Sequence, residues 1–184
     1  SSDVQADIQT LADYQQIPFT TKDQLSADQF ACPPYGTNLT FSPSEYIRVH
    51  QTSGTTGAPL RWLDDTESWS WWGRCWASVY RAAGVTSEDR IFFAFSFGPF
   101  IGFWSAHEGA RQIEALSIPG GGMSSLQRVQ AICSNKITVL VCTPTYALHL
   151  GEVAQSEGIN IVDSDVRVTI HAGEPGASLP STKK

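Results

Sequence analysis

Four short runs of strand character, 90–95, 112–117, 138–142 and 166–171, alternate with segments of helical length. No other feature constrains the fold as tightly. Within two of them, 91–95 and 139–142 are apolar without a break, which strands accept only when both faces are covered. Neighbouring strands joined by helix-length crossovers pair in parallel. The expected fold class is therefore α/β, a parallel-rich sheet with helices on both faces. Between the strands, helices are expected over 66–83, 102–109, 126–134 and 145–157, with Gly84 stopping the first. Upstream, 3–16 and 21–30 are expected to be short helices, the second capped by Thr20 or Thr21. A strand over 46–50 is expected to return over 61–63, and the segment between them is the most unusual in the chain.

That segment is Gln51-Thr52-Ser53-Gly54-Thr55-Thr56-Gly57-Ala58-Pro59. Residues 52–57 hold hydroxyls and glycines only, so they cannot bury a core face. Glycines let the backbone turn sharply and bring N–H groups close to a ligand. Successive N–H groups in one concavity form an anion nest, and hydroxyls add rotatable donors. Composition alone is equally compatible with a plain Ser/Thr/Gly surface loop. Other features have two readings as well. Trp69, Trp72, Trp76 and Tyr80 recur at helical spacing, which favours core over a ligand box. Gly120-Gly121-Gly122 fits a nucleotide approach or a turn after a strand. His50 can contact phosphate or finish a strand, and His107 can face a pocket or sit bonded in the core.

The order Thr-Ser-Gly-Thr-Thr-Gly-x-Pro resembles the phosphate loop of the adenylate-forming enzymes, the acyl-CoA synthetase superfamily. Ile17-Pro18-Phe19-Thr20-Thr21-Lys22-Asp23 resembles the entry segment of the phenylacetate–CoA ligases within it. Phe95-Ser96-Phe97-Gly98-Pro99-Phe100-Ile101-Gly102 resembles their acid-pocket segment, and His107-Glu108-Gly109-Ala110 follows it. Thr143-Pro144-Thr145-Tyr146 resembles their strand-to-helix corner, and Gly173-Glu174-Pro175 their adenine-side motif. The resemblance implies an ATP-dependent, AMP-forming acid–CoA ligase that activates an aryl, phenylacetate-like acid through acyl-AMP. It implies ATP, Mg2+ and coenzyme A as the full-length enzyme's cofactors. Thr52, Ser53, Gly54, Thr55, Thr56 and Gly57 would hold phosphate. Phe95, Phe97 and Phe100 would line the acid pocket opposite Ala172 and Gly173, with Glu174 and Pro175 beside the adenine. Aryl or arylalkyl acids are expected to be preferred over acetate.

Two departures stand out. The lysine usual in the family's loop is replaced by Ala58, so phosphate must be met by N–H groups, hydroxyls, a metal ion or the nearest base, Arg61. Ala172-Gly173 inverts the family's Gly-Ala order. The elements that complete such an enzyme, including its catalytic residues and a mobile C-terminal domain, are expected beyond Lys184. The division implied is a helical segment over 1–45 and a truncated nucleotide- and acid-binding α/β subdomain over 46–184. The chain alone is expected to be inactive and to expose an apolar seam toward the missing C-terminal part, through which it can self-associate as a homo-oligomer. A non-catalytic accessory or sensor protein that binds nucleotide or aryl acid is the alternative.

Composition excludes other classes. A net charge of −6 with no Lys/Arg stripe gives no nucleic-acid footprint. The most apolar run, 91–104, is too short to span a bilayer and contains Ser96, Gly98, Pro99 and Gly102, so no membrane segment is expected. Cys32, Cys75, Cys133 and Cys142 lack zinc-site spacing, so no metal site is assigned. Buried free thiols and a cytoplasmic location are expected.

Overall fold

A computed structural model describes residues 8–54 and 58–176. Two short helices, α1 (Leu11–Gln15) and α2 (Lys22–Ala31), lead into a hairpin of β1 (Tyr46–Gln51) and β2 (Arg61–Asp65). Then follow α3 (Thr66–Ala82), β3 (Arg90–Phe93), α4 (Ile101–Gln112), β4 (Leu116–Pro119), α5 (Ser125–Ser134), β5 (Val139–Cys142), α6 (Pro144–Ser156) and β6 (Val168–His171). The hairpin is antiparallel and separate. The other four strands form a parallel sheet in the order β4-β3-β5-β6.

Strand side chains alternate between faces, and each face carries its own helices. Ile91, Phe93, Val139 and Val141 pack with Tyr80 of α3 and with Ala106 and Ala110 of α4. Phe92, Leu140 and Cys142 pack on the other side with Val129 and Ile132 of α5 and with Leu150 and Ala154 of α6. The α/β class and the covering of both faces are as expected. On the first face α3 and α4 touch closely. A Cβ on Gly109 would collide with Trp76 Cβ and stand 3.1 Å from the Ala77 nitrogen. Tyr80 Oη, fully buried, donates to Ala106 O at 3.0 Å.

Local signals account for most boundaries. Thr21 caps α2, exchanging bonds with Gln24 in a capping box. Asp65 caps α3 by accepting from Ser68 N at 2.7 Å, and Gly84, at φ +69°, turns the chain away from its end. Two expectations shift. The strand placed over 112–117 lies at Leu116–Pro119, because α4 continues to Gln112. That helix ends without glycine: Glu114 takes the left-handed conformation at φ 59°, and Ala115 N bonds back to Ala110 O. The helix placed over 3–16 starts only at Leu11, behind its cap Thr10, among the described residues. The tryptophan stripe is mostly core, with Trp69 and Tyr80 buried and Trp76 partly so. The four cysteines are free, but only Cys142 is buried; Cys32 is exposed, and Cys75 and Cys133 lie between. Cys32 precedes a turn that has no core beneath it, so the expectation of buried thiols fails there.

At the N-terminal edge of the sheet, buried Asp89 joins three strands. Its carboxylate accepts from Thr86 N at 2.8 Å, Thr138 Oγ1 at 2.7 Å and Arg167 Nη2 at 2.6 Å. Burial pushes this carboxyl upward, and the bonds from Thr86, Thr138 and Arg167 outweigh that and hold it below its ordinary value. A depressed carboxyl contributes stability above its unfolded value, near 3.9, that is lost as pH falls through the folded value. Asp89→Ala leaves buried donors without an acceptor and is expected to cost about 3 kcal/mol in urea unfolding. The variant should also lose part of the wild type's decline in stability below about pH 4.

Candidate functional site

Open parallel sheets bind ligands outside the carboxyl ends of their strands. Here those ends release the segments 94–100 after β3, 120–122 after β4, 143–145 after β5 and 172–176 after β6. Every sequence-predicted site residue outside the hairpin lies on one of them. The hairpin is tied to the same edge, because Gln51 N donates to Pro99 O at 2.8 Å.

Both ends of the glycine-hydroxyl loop are fixed. Thr52 N donates to Leu60 O at 2.9 Å, and Leu60 N donates to Thr52 Oγ1 at 3.1 Å. The Thr52 hydroxyl keeps its proton to give. Ser53 is exposed, and Gly54 sits at φ +67°, which a side chain would strain. Thr55, Thr56 and Gly57 lie outside the described residues. Arg61 stands at the loop's return, where its Nη1 donates to Pro34 O at 2.9 Å and its backbone is clasped by Gln29. That commits part of the guanidinium to the N-terminal segment.

The aromatic segment divides. Phe95 and Phe97 lie together, ring centroids 4.6 Å apart. Phe103 of α4 stacks on Phe95 at 3.9 Å with planes 21° apart. Trp104 meets Phe97 edge-on at 4.6 Å, and His107 touches both Phe93 and Phe97. Phe100 is half exposed and faces elsewhere. It lines a hollow of about 490 Å³ with His50, Gln51, Thr52, Trp62 and Trp72. The expected grouping of three phenylalanines thus holds for Phe95 and Phe97 only. Phe103 and Trp104 of α4, which the motifs did not single out, join this aromatic group, and their spacing from His107 puts all three on one side of that helix.

Across the edge, Gly173 turns the chain at φ +90°, and Glu174 Oε1 accepts from Thr145 Oγ1 at 2.9 Å. Ala172 and Pro175 flank this turn above the start of α6. Since β5 separates β3 from β6, about 10 Å lies between the two walls. Cys142 ends β5 between them, and burial pushes its thiol up to about 12, so it stays protonated and inert. His171 Nδ1 is 3.2 Å from Cys142 O. Gly120 packs its backbone against Phe92 and Phe93, and its N–H donates to Phe93 O at 2.9 Å. Gly120 thus serves a close turn.

His50 is buried, stacked on Trp69 at 5.2 Å, with Nδ1 3.7 Å from Asp64 Oδ2. No group of three or more His, Cys, Asp or Glu side chains among the described residues could hold a metal ion. No helix among them is long and apolar enough to cross a membrane. The donors present suit phosphate oxygens, and the rings suit the apolar part of an acid.

The chain resembles known proteins along most of its length. It is 31% identical over 169 residues to a phenylacetate-coenzyme A ligase of Pseudomonas putida, covering 92% of this chain and 37% of that one. It is 30% identical over 177 residues to the Escherichia coli (strain K12) enzyme of the same name, covering 92% and 38%. Among solved structures, 2-hydroxyisobutyryl-CoA ligase in complex with 2-HIB-AMP and CoA superposes with a TM-score of 0.86 at 32% identity, over 95% of this chain and 37% of that one. The N-terminal domain of FACL13 from Mycobacterium tuberculosis, at 15% identity and a TM-score of 0.59, shares the fold alone. No family model matches. The chain therefore spans a little over a third of the length of the curated relatives it matches.

Two imidazoles in this region carry a pH signature. Burial lowers His50, with Asp64 opposing and Arg48 reinforcing, and burial lowers His107 against Glu108. Each is depressed in the folded chain, so the unfolded chain binds protons more readily below its ordinary value near 6.5. Stability should fall as pH drops through that value. Thermal melts between about pH 5 and pH 8 are expected to show this decline, and His50→Asn and His107→Asn should each flatten it.

Proposed function

We propose a function from the premise that this chain is a phenylacetate–CoA ligase-like member of the adenylate-forming superfamily. Within an ATP-dependent, AMP-forming acid–CoA ligase, it supplies the phosphate loop and the acid-binding walls. The substrate carboxylate attacks the α-phosphate of ATP, forming acyl-AMP and releasing pyrophosphate; the coenzyme A thiol then displaces AMP. Residues 52–57 neutralise and orient the pyrophosphate end, through N–H groups and hydroxyls rather than a loop lysine. Mg2+, when bound with the nucleotide, adds charge neutralisation there. Phe95 and Phe97 shelter the acyl group, Ala172 and Gly173 face them, and Glu174 and Pro175 lie beside the adenine. Further polypeptide contributes the metal-handling and catalytic groups, and the exposed Phe19 and Phe30, 96% and 89% accessible, fit a surface that such a partner covers.

The observation that carries this proposal is the 2.8 Å bond from Gln51 N to Pro99 O. It sets the loop that would hold the leaving group against the segment that would hold the nucleophile, which is what joining two anions requires. The relatives' name favours an aryl acid; the 2-hydroxyisobutyryl-CoA ligase neighbours favour a compact one. Acid-dependent ATP–pyrophosphate exchange by the intact protein tests the assignment. Replacing Thr55 and Thr56 by alanine should reduce exchange roughly a hundredfold, as expected for a lost preorganised donor. Nucleotide binding without exchange would instead favour a non-catalytic accessory or sensor.

A further inference from the structure

Phe95 is the centre of the expected acid pocket, yet its own chain already occupies one of its faces. The Phe103 ring lies parallel to it at 3.9 Å, which is van der Waals contact and leaves no space for a third ring. The Phe93 and Phe97 rings lie beside it, centroids 5.9 Å and 4.6 Å away.

The surroundings hold this arrangement in place. Trp104 Nε1 donates to Gly98 O at 2.8 Å, tying the segment to α4, and Gln51 N donates to Pro99 O at 2.8 Å, tying it to the hairpin. Phe103 projects from the first turn of a twelve-residue helix. Beyond the segment, even a Cβ on Gly121 would stand 3.3 Å from Phe97 Cδ2, so that side offers little depth. An aryl acid that stacks on this face of Phe95 must displace Phe103. A short branched aliphatic acid rests against the ring edges without doing so.

We infer that Phe103 is a specificity-determining residue that fills the aryl-stacking position, and that the acid activated is a compact aliphatic carboxylate. This rests on the acid–CoA ligase assignment and names the substrate class of that same site.

The test is acid-dependent pyrophosphate exchange by the intact protein with acetate, isobutyrate, benzoate and phenylacetate. Wild type is expected to favour isobutyrate over phenylacetate. Phe103→Ala is expected to raise kcat/KM for phenylacetate by about 10- to 200-fold, the range for one apolar pocket group, while gaining little for isobutyrate. Phe103→Leu, which keeps apolar volume on α4, should fall between them, so the test survives if the alanine variant folds poorly. A wild-type preference for phenylacetate, or an unchanged ranking in both variants, overturns the inference while leaving the ligase assignment standing. Absence of exchange with every acid overturns the assignment itself, and the inference with it.

Discussion

The candidate site depends on the backbone contact that ties the hairpin to the sheet's carboxyl edge, the Gln51 N–H on the Pro99 carbonyl. The hairpin belongs to no larger sheet. It is held to the body by this bond and by its packing on α3, where His50 lies on the face of Trp69 and Arg48 sits 5.5 Å from the same ring. A loop made of glycine and hydroxyls has no apolar side chain to bury. Its described ends are closed by the paired Thr52 and Leu60.

The parallel sheet does the rest by topology. Four strands that run one way deliver four connecting segments to one edge, so the aromatic segment, the glycine turn, the Thr143 corner and the Glu174 turn share a neighbourhood without any contact among them in sequence. The opposite edge carries the Asp89 network, where a buried carboxylate with several donors fastens strand starts. Candidate site and fastening thus lie at opposite edges of the sheet.

Much of this was legible in the sequence because burial on two faces leaves a plain mark. The runs 91–93 and 139–142 admit no solvent-facing residue, and Thr21 and Gly84 announce the start of α2 and the end of α3 chemically. The end of α4 was not legible, since Glu114 adopts a conformation that sequence reserves for glycine. Nor was the division of the phenylalanines: Phe95, Phe97 and Phe100 look alike along the chain, and only the start of α4 turns Phe100 toward the hairpin while Phe103 turns toward Phe95. Such pairings are set by tertiary contact, which residue types alone do not encode.

If the loop, the aromatic segment and the Glu174 turn form one site, one ligand protects all three. Hydrogen exchange on the intact protein, with and without a non-hydrolysable acyl-sulfamoyl adenosine, reads this out. Exchange is expected to slow together in peptides spanning 46–60, 94–104 and 171–176. Protection confined to one of them, or falling wholly outside all three, would rule a single site out.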